Sequence, residues 1–125
     1  MKATEGKYYL KVRLEGLPPT LNKLNSMHFM ARARLNKEWR EAAWGAIGSK
    51  IPEVPLKRAQ ITITRHSSVE GDGDNYAGGY KAIIDALRHM KILENDKLSN
   101  IGNIQTLWVH ETPRNGWISL EIQEL

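Results

Sequence analysis

The 125-residue chain contains no cysteine, which excludes disulfides, iron–sulfur clusters and thiolate-held zinc and fits a reducing compartment. It has no apolar run near the roughly 20 residues that a membrane-spanning helix requires. Its first residues, Met1-Lys2-Ala3-Thr4-Glu5-Gly6-Lys7, lack the apolar stretch of a secretion signal. The expectation is a soluble, unprocessed, cytoplasmic protein. There is also no internal repeat, low-complexity tract or linker, and the length suits one domain over residues 1–125. Acidic residues are scarce in the first half. Residues 1–68 hold 13 Lys and Arg against 5 Asp and Glu, whereas residues 69–125 hold 5 against 9, within a net charge of +4. A basic surface beside a carboxylate cluster is what a nuclease needs, since phosphates are attracted while a cation is held. Ordinary solvated charge is the alternative.

What is present reads as an α+β domain. Lys7 to Leu14 alternates as a strand, with Tyr8, Leu10, Val12 and Leu14 on one face, and Pro18-Pro19 ends it. Met30 to Gly48 reads as a long amphipathic helix, with Leu35, Trp39, Ala42, Ala43, Ala46 and Ile47 near one stripe and a basic first half. Ala59 to His66 is β-branched at period two. Tyr76 to Met90 carries a second helical stripe at Tyr80, Ile83, Ile84 and Leu87, and Gly78-Gly79 move the start of the helix proper toward Tyr80. Ile104 to Glu111 and Trp117 to Gln123 read as two strands joined as a hairpin around Pro113-Arg114-Asn115-Gly116. The order is strand, helix, strand, helix, strand, strand, a mixed sheet against two helices.

Between the second strand and the second helix lies Gly71-Asp72-Gly73-Asp74-Asn75. In an extended segment, the period-two spacing of Asp72 and Asp74 turns both carboxylates to one side, where they can share an ion. Asp96 follows 22 residues after Asp74, past the second helix, and a helix running back along the sheet returns it toward the pair. Three converging carboxylates repel one another unless an oxygen-preferring divalent ion joins them, and Mg²⁺, with Mn²⁺ as substitute, is the natural candidate. A calcium loop opening at Asp72 fails, because Ala77 stands where glycine is needed and Ile83 where a bidentate glutamate belongs. Taken alone, Asp-Gly-Asp-Asn is also the composition of an ordinary turn.

Asp72-Gly73-Asp74-Asn75, Lys81-Ala82-Ile83-Ile84-Asp85-Ala86-Leu87 and Asp96 together resemble the RusA family of Holliday-junction resolvases, and Pro18-Pro19-Thr20-Leu21-Asn22 resembles that family's N-terminal proline element. The resemblance implies a RusA-like fold and a Mg²⁺-dependent, homodimeric endonuclease that makes paired nicks in four-way junctions during recombination and repair. It further implies that Asp72, Asp74 and Asp96 bind metal, that Lys81 is a catalytic or phosphate-contacting cation, and that Asn75 and Asn22 support the site. The chain departs from the pattern at Gly78-Gly79, which belong to an insertion of about three residues, at Asn95 in place of an acid, and at Val69-Glu70 in place of basic residues. A branched-DNA-binding protein impaired in turnover is the alternative reading.

The candidate phosphate contacts are Arg32, Arg34, Lys37 and Arg40 on the first helix, with Arg65 and Lys97 flanking the acidic loop. Lys81 and Asp85, at i and i+4, also form an ordinary helix-surface pair. His28, His66, His89 and His110 lack zinc spacing and a partnered nucleophile, so none is assigned to catalysis. Trp39, Trp44, Trp108 and Trp117 are assigned to core or dimer packing ahead of base stacking.

Overall fold

Alternating side chains build the sheet. A computed structural model describes residues 7–19, 21–68, 80–94, 104–111 and 116–125. Within these, β1 spans Tyr9–Glu15, α1 Leu21–Ser26, α2 Phe29–Ile47, β2 Ala59–Ser67, α3 Lys81–His89, β3 Gln105–His110 and β4 Trp117–Glu124. Leu10 and Leu14 of β1, Ile61 and Ile63 of β2, and Ile118, Leu120 and Ile122 of β4 are all buried in one core, each set at period two. The same core takes Trp39, Ala43 and Ile47 of α2 and Ala82, Ile83, Ile84, Ala86 and Leu87 of α3. Both helices thus cover one face of the sheet. Fully burying each large aliphatic side chain contributes about 1.5–3 kcal/mol.

The sheet is mixed, in the order β1-β4-β2-β3. β4 pairs antiparallel with β1 and β2, and β3 pairs parallel with β2, Thr64 opposite Leu107 and Arg65 opposite Trp108. The expected hairpin between the last two strands is therefore corrected: β2 lies between β3 and β4. The most deeply buried strands, β2 and β4, take the centre, and β3, none of whose residues is fully buried, lies at an edge. Residues 112–115 of the expected turn lie outside the described residues.

Two further differences concern the helices. The six-residue α1 was not anticipated, and α2 begins one turn's fraction earlier, at Phe29, because His28 acts as its N-cap, its Nδ1 accepting from the Met30 N–H at 3.2 Å. The buried stripe of α2 is narrower than expected: Leu35 and Ala46 are only partly buried, while Ala42 and Trp44 are exposed. α3 starts at Lys81, beyond the two glycines, as the helix propensities predict. No helix among the described residues is long and apolar enough to cross a membrane.

Tyr8 ties the start of β1 to the segment after α2, its hydroxyl donating to the Lys50 carbonyl at 2.6 Å. Burial holds its phenol above the ordinary value of 10.0. A raised pKa means that the folded state keeps the proton more firmly, so this contribution is complete below the unfolded value and is lost as pH rises from there through the higher folded value. Tyr8→Phe is expected to cost about 1 kcal/mol at pH 7 and to flatten the alkaline fall in stability above about pH 10, read by urea unfolding across pH.

Candidate functional site

The proline element and the end of β2 are joined from beneath. Arg65 lies on the helix-covered face of β2, buried to 8% exposure, and its Nη1 donates to the Pro18 carbonyl at 3.3 Å. Pro18 and Pro19 are themselves buried, and Gly16, with φ +86°, turns the chain out of β1 toward them. Two residues further along β2, on the same face, Trp108 Nε1 donates to Ser67 Oγ at 3.0 Å. These contacts fix the C-terminal end of β2, from which the chain leaves toward Asp72 and Asp74. Arg65 is thus an internal strut at this end of the sheet, not a solvent-exposed cation.

On the helical side, a cleft of about 230 Å³ opens between α1, α2 and α3, with Leu24 and Ala82 as its apolar lining. Its polar wall consists of Asn25, Arg32, Asn36, Arg40, Lys81 and Asp85. Arg32, Asn36 and Arg40 recur at four-residue spacing, so they stand on one stripe of α2. Arg34 and Lys37 are exposed and outside this wall. Of the four candidate cations on α2, the fold therefore gathers two, and it adds Lys81 from the first turn of α3. Among the described residues, three cations face the one carboxylate of Asp85 across this cleft, a balance of charge that suits an anion with several oxygens, and planar guanidinium groups match phosphate geometry.

Lys81 Nζ stands 3.8 Å from Asp85 Oδ1, with the lysine side chain 76% exposed. A pair so open to water is worth at most about 0.5 kcal/mol, so it does little to hold Lys81 back from another anion. Asn22, on α1, is exposed and engaged in a contact of its own. Asn25 and Asn36 escaped the sequence reading. Asn36 had a visible signal, its place midway between Arg32 and Arg40, whereas Asn25 depends on the unanticipated α1.

Asp72, Asp74, Asn75, Asp96 and Lys97 lie outside the described residues. Their neighbours define where they enter the frame. Tyr80, immediately before α3, is buried in the core, and Leu93 forms a parallel bridge with Leu56, ahead of β2. Among the described residues, no group of three or more His, Cys, Asp or Glu side chains is arranged to hold a metal ion.

The opposite face of the sheet carries a second constellation, which the sequence reading did not find. His66 and Trp117 stack at 3.5 Å between centroids, and Arg13 lies 4.0 Å over the Trp117 ring. Glu111 bridges them, meeting His66 Nδ1 at 3.2 Å and accepting from Trp117 Nε1 at 2.9 Å. His66 Nε2 is 3.5 Å from Ser119 Oγ, so serine, histidine and carboxylate follow in the order of a hydrolytic triad. The chemistry stops there. Ser119 lies in mid-strand between Arg13 of β1 and Thr64 of β2, so the backbone donors around it belong to the ladder and not to an oxyanion. The cluster is a brace across β1, β4, β2 and the end of β3, bordering a shallow hollow of about 490 Å³ with Leu107 and Val109.

No protein-family model matches this chain, and no curated protein matches it.

Proposed function

We propose that the protein is a Mg²⁺-dependent endonuclease of branched DNA, acting on four-way junctions in the manner the RusA resemblance implies. The observation that carries this reading is the cleft formed by Arg32, Arg40 and Lys81. It collects phosphate-binding side chains at the first turn of the very helix that follows the Asp72–Asp74 segment. Positioning cations and metal-binding carboxylates are the two parts that phosphodiester hydrolysis requires, and Lys81 joins them in sequence, seven residues after Asp74.

The donor set of Asp72, Asp74 and Asp96 is three hard carboxylates, which fits Mg²⁺ and Mn²⁺ and disfavours softer ions. Those residues would hold the ion, which when bound supplies an electrophile for the phosphate and lowers the pKa of a ligated water. The protein's own groups do the rest. Arg32 and Arg40 fix the DNA backbone, and Lys81 neutralises charge that develops on the phosphate during cleavage. Incubation with a synthetic four-way junction, with matched duplex and with single strand, each with and without Mg²⁺, tests the proposal. Nicks confined to the junction and dependent on metal are expected; a junction bound but never nicked with Mg²⁺ or Mn²⁺ overturns it.

Paired incisions call for a homodimer, and the open sheet face suits one. It exposes Leu107 and Val109 at β3 and Lys11 and Arg13 at the β1 edge, with Glu111 half-buried just past the end of β3. A two-fold axis through the sheet centre lays the basic β1 of one copy over the β3 of the other. Aromatic and arginine anchors such as Trp117 and Arg13 are typical of interface centres. Sedimentation is expected to give a dimer for the native chain and a folded monomer for Leu107→Lys.

A further inference from the structure

The cleft stripe of α2 does not begin at Arg32. Stepping back by three residues along the same face reaches Phe29, so Phe29, Arg32, Asn36 and Arg40 form one continuous row. Phe29 is 65% exposed and its neighbour Met30 is 60% exposed. Single apolar residues on a surface are ordinary. An exposed ring in line with a row of cleft side chains, lying against the histidine that caps its helix, is a different feature. His28 caps the helix through Nδ1 and lies against Phe29, with centroids 4.6 Å apart and ring planes at 33°. One side of the aromatic ring is thereby supported, and its exposed surface is open to a flat partner.

We propose that Phe29 and the cleft together form a site for unpaired nucleotides, in which a base stacks on Phe29 while its backbone phosphates lie against Arg32, Arg40 and Lys81. This rests on the nucleic-acid part of the function proposed above and extends it to what distinguishes a branch from plain duplex. The row rises about 16 Å from Phe29 to Arg40, enough for a short run of nucleotides. Every base has a π-face, so such a platform selects unstacked bases without reading their sequence. An anionic membrane would also meet Phe29 and these cations. It is the poorer fit, because the buried apolar stripe of α2, Trp39, Ala43 and Ile47, faces the core and leaves no continuous apolar face for lipid.

The test uses the full chain in chelator, where no nicking occurs. The probe is a forked duplex with 2-aminopurine at the first unpaired position, and fully paired DNA is the comparison. Binding of the native protein is expected to alter 2-aminopurine fluorescence and to favour the fork. Phe29→Ala should reduce the preference for fork over duplex roughly ten-fold while leaving duplex affinity within about two-fold, and Phe29→Tyr should restore it. Arg40→Ala should weaken both complexes. An unchanged fork-to-duplex ratio in Phe29→Ala overturns the site, as does a native complex that leaves 2-aminopurine unaffected. If Phe29→Ala instead weakens binding to phosphatidylserine vesicles and leaves the fork complex unchanged, the site is likewise overturned. Because the measurement is made without metal, a protein that never nicks a junction can still pass it, and an active nuclease can still fail it.

Discussion

Asp74→Asn is expected to lower junction nicking in Mg²⁺ by at least roughly 10³-fold while leaving junction affinity undiminished. The substitution removes a ligand charge and almost nothing of the side-chain shape. A metal ion in the proposed role contributes several kcal/mol of charge stabilisation, and about 1.4 kcal/mol corresponds to each factor of ten in rate. Binding has a different source. In the proposal it draws on Arg32, Arg40 and Lys81, which line the α1–α2–α3 cleft and which the variant keeps, and deleting a negative charge near a polyanion favours association slightly. Single-turnover nicking and fluorescence anisotropy on the same labelled junction separate the two. Asp72→Asn should behave alike. Cleavage retained by Asp74→Asn would remove Asp74 from the metal shell and, with it, the main chemical content of the acidic segment.

Local patterns in the sequence were sufficient for most elements and insufficient for their arrangement. Ala59 to His66 alternates so cleanly that β2 was legible, and the Ile83, Ile84, Leu87 stripe located α3 with its start delayed by Gly78-Gly79. The pairing of the final strands was not. Asn115-Gly116 after Pro113 carries a turn composition that suggests a hairpin, yet strand order follows from which faces must be buried. Ile118, Leu120 and Ile122 find apolar partners on both sides, Leu10 and Leu14 across one ladder and Ile61 and Ile63 across the other. Inserting β4 between β1 and β2 satisfies both. α1 was missed because six residues with no acidic first turn hold their helix by tertiary packing of Leu24, not by propensity.

The candidate site divides along the same line. Basic residues on α2 were evident, but Arg34 and Lys37 could be separated from Arg32 and Arg40 only once α3 supplied the opposite wall. Arg65 had the right neighbourhood and a different setting, since a strand position facing the helices buries it against Pro18. The Arg13–Trp117–His66–Glu111 brace had no sequence signal, because Arg13, His66 and the Glu111–Trp117 pair come from segments about fifty residues apart that only the strand pairing brings together.

Lys81→Met is expected to slow junction nicking about 10²- to 10³-fold, the usual effect of removing one donor that meets charge formed during reaction. Junction affinity should fall only a few-fold, since two arginines remain, and the slope of log affinity against log salt should shrink by about one unit for one lost phosphate contact. Lys81→Arg should restore the salt slope more fully than the rate, because a guanidinium keeps the charge but spreads it over a planar fork instead of holding it at one point. The competing account makes Lys81 no more than the partner of Asp85, 3.8 Å away on the same helix. Under that account Lys81→Met and Asp85→Asn are equivalent: each costs about 0.3–0.5 kcal/mol of stability and neither alters nicking. Under the present one they diverge. Asp85→Asn frees the ammonium and removes the cleft-wall carboxylate found among the described residues, so nicking and junction affinity hold or rise. Parallel loss of rate in both variants would return Lys81 to the role of a surface ion pair.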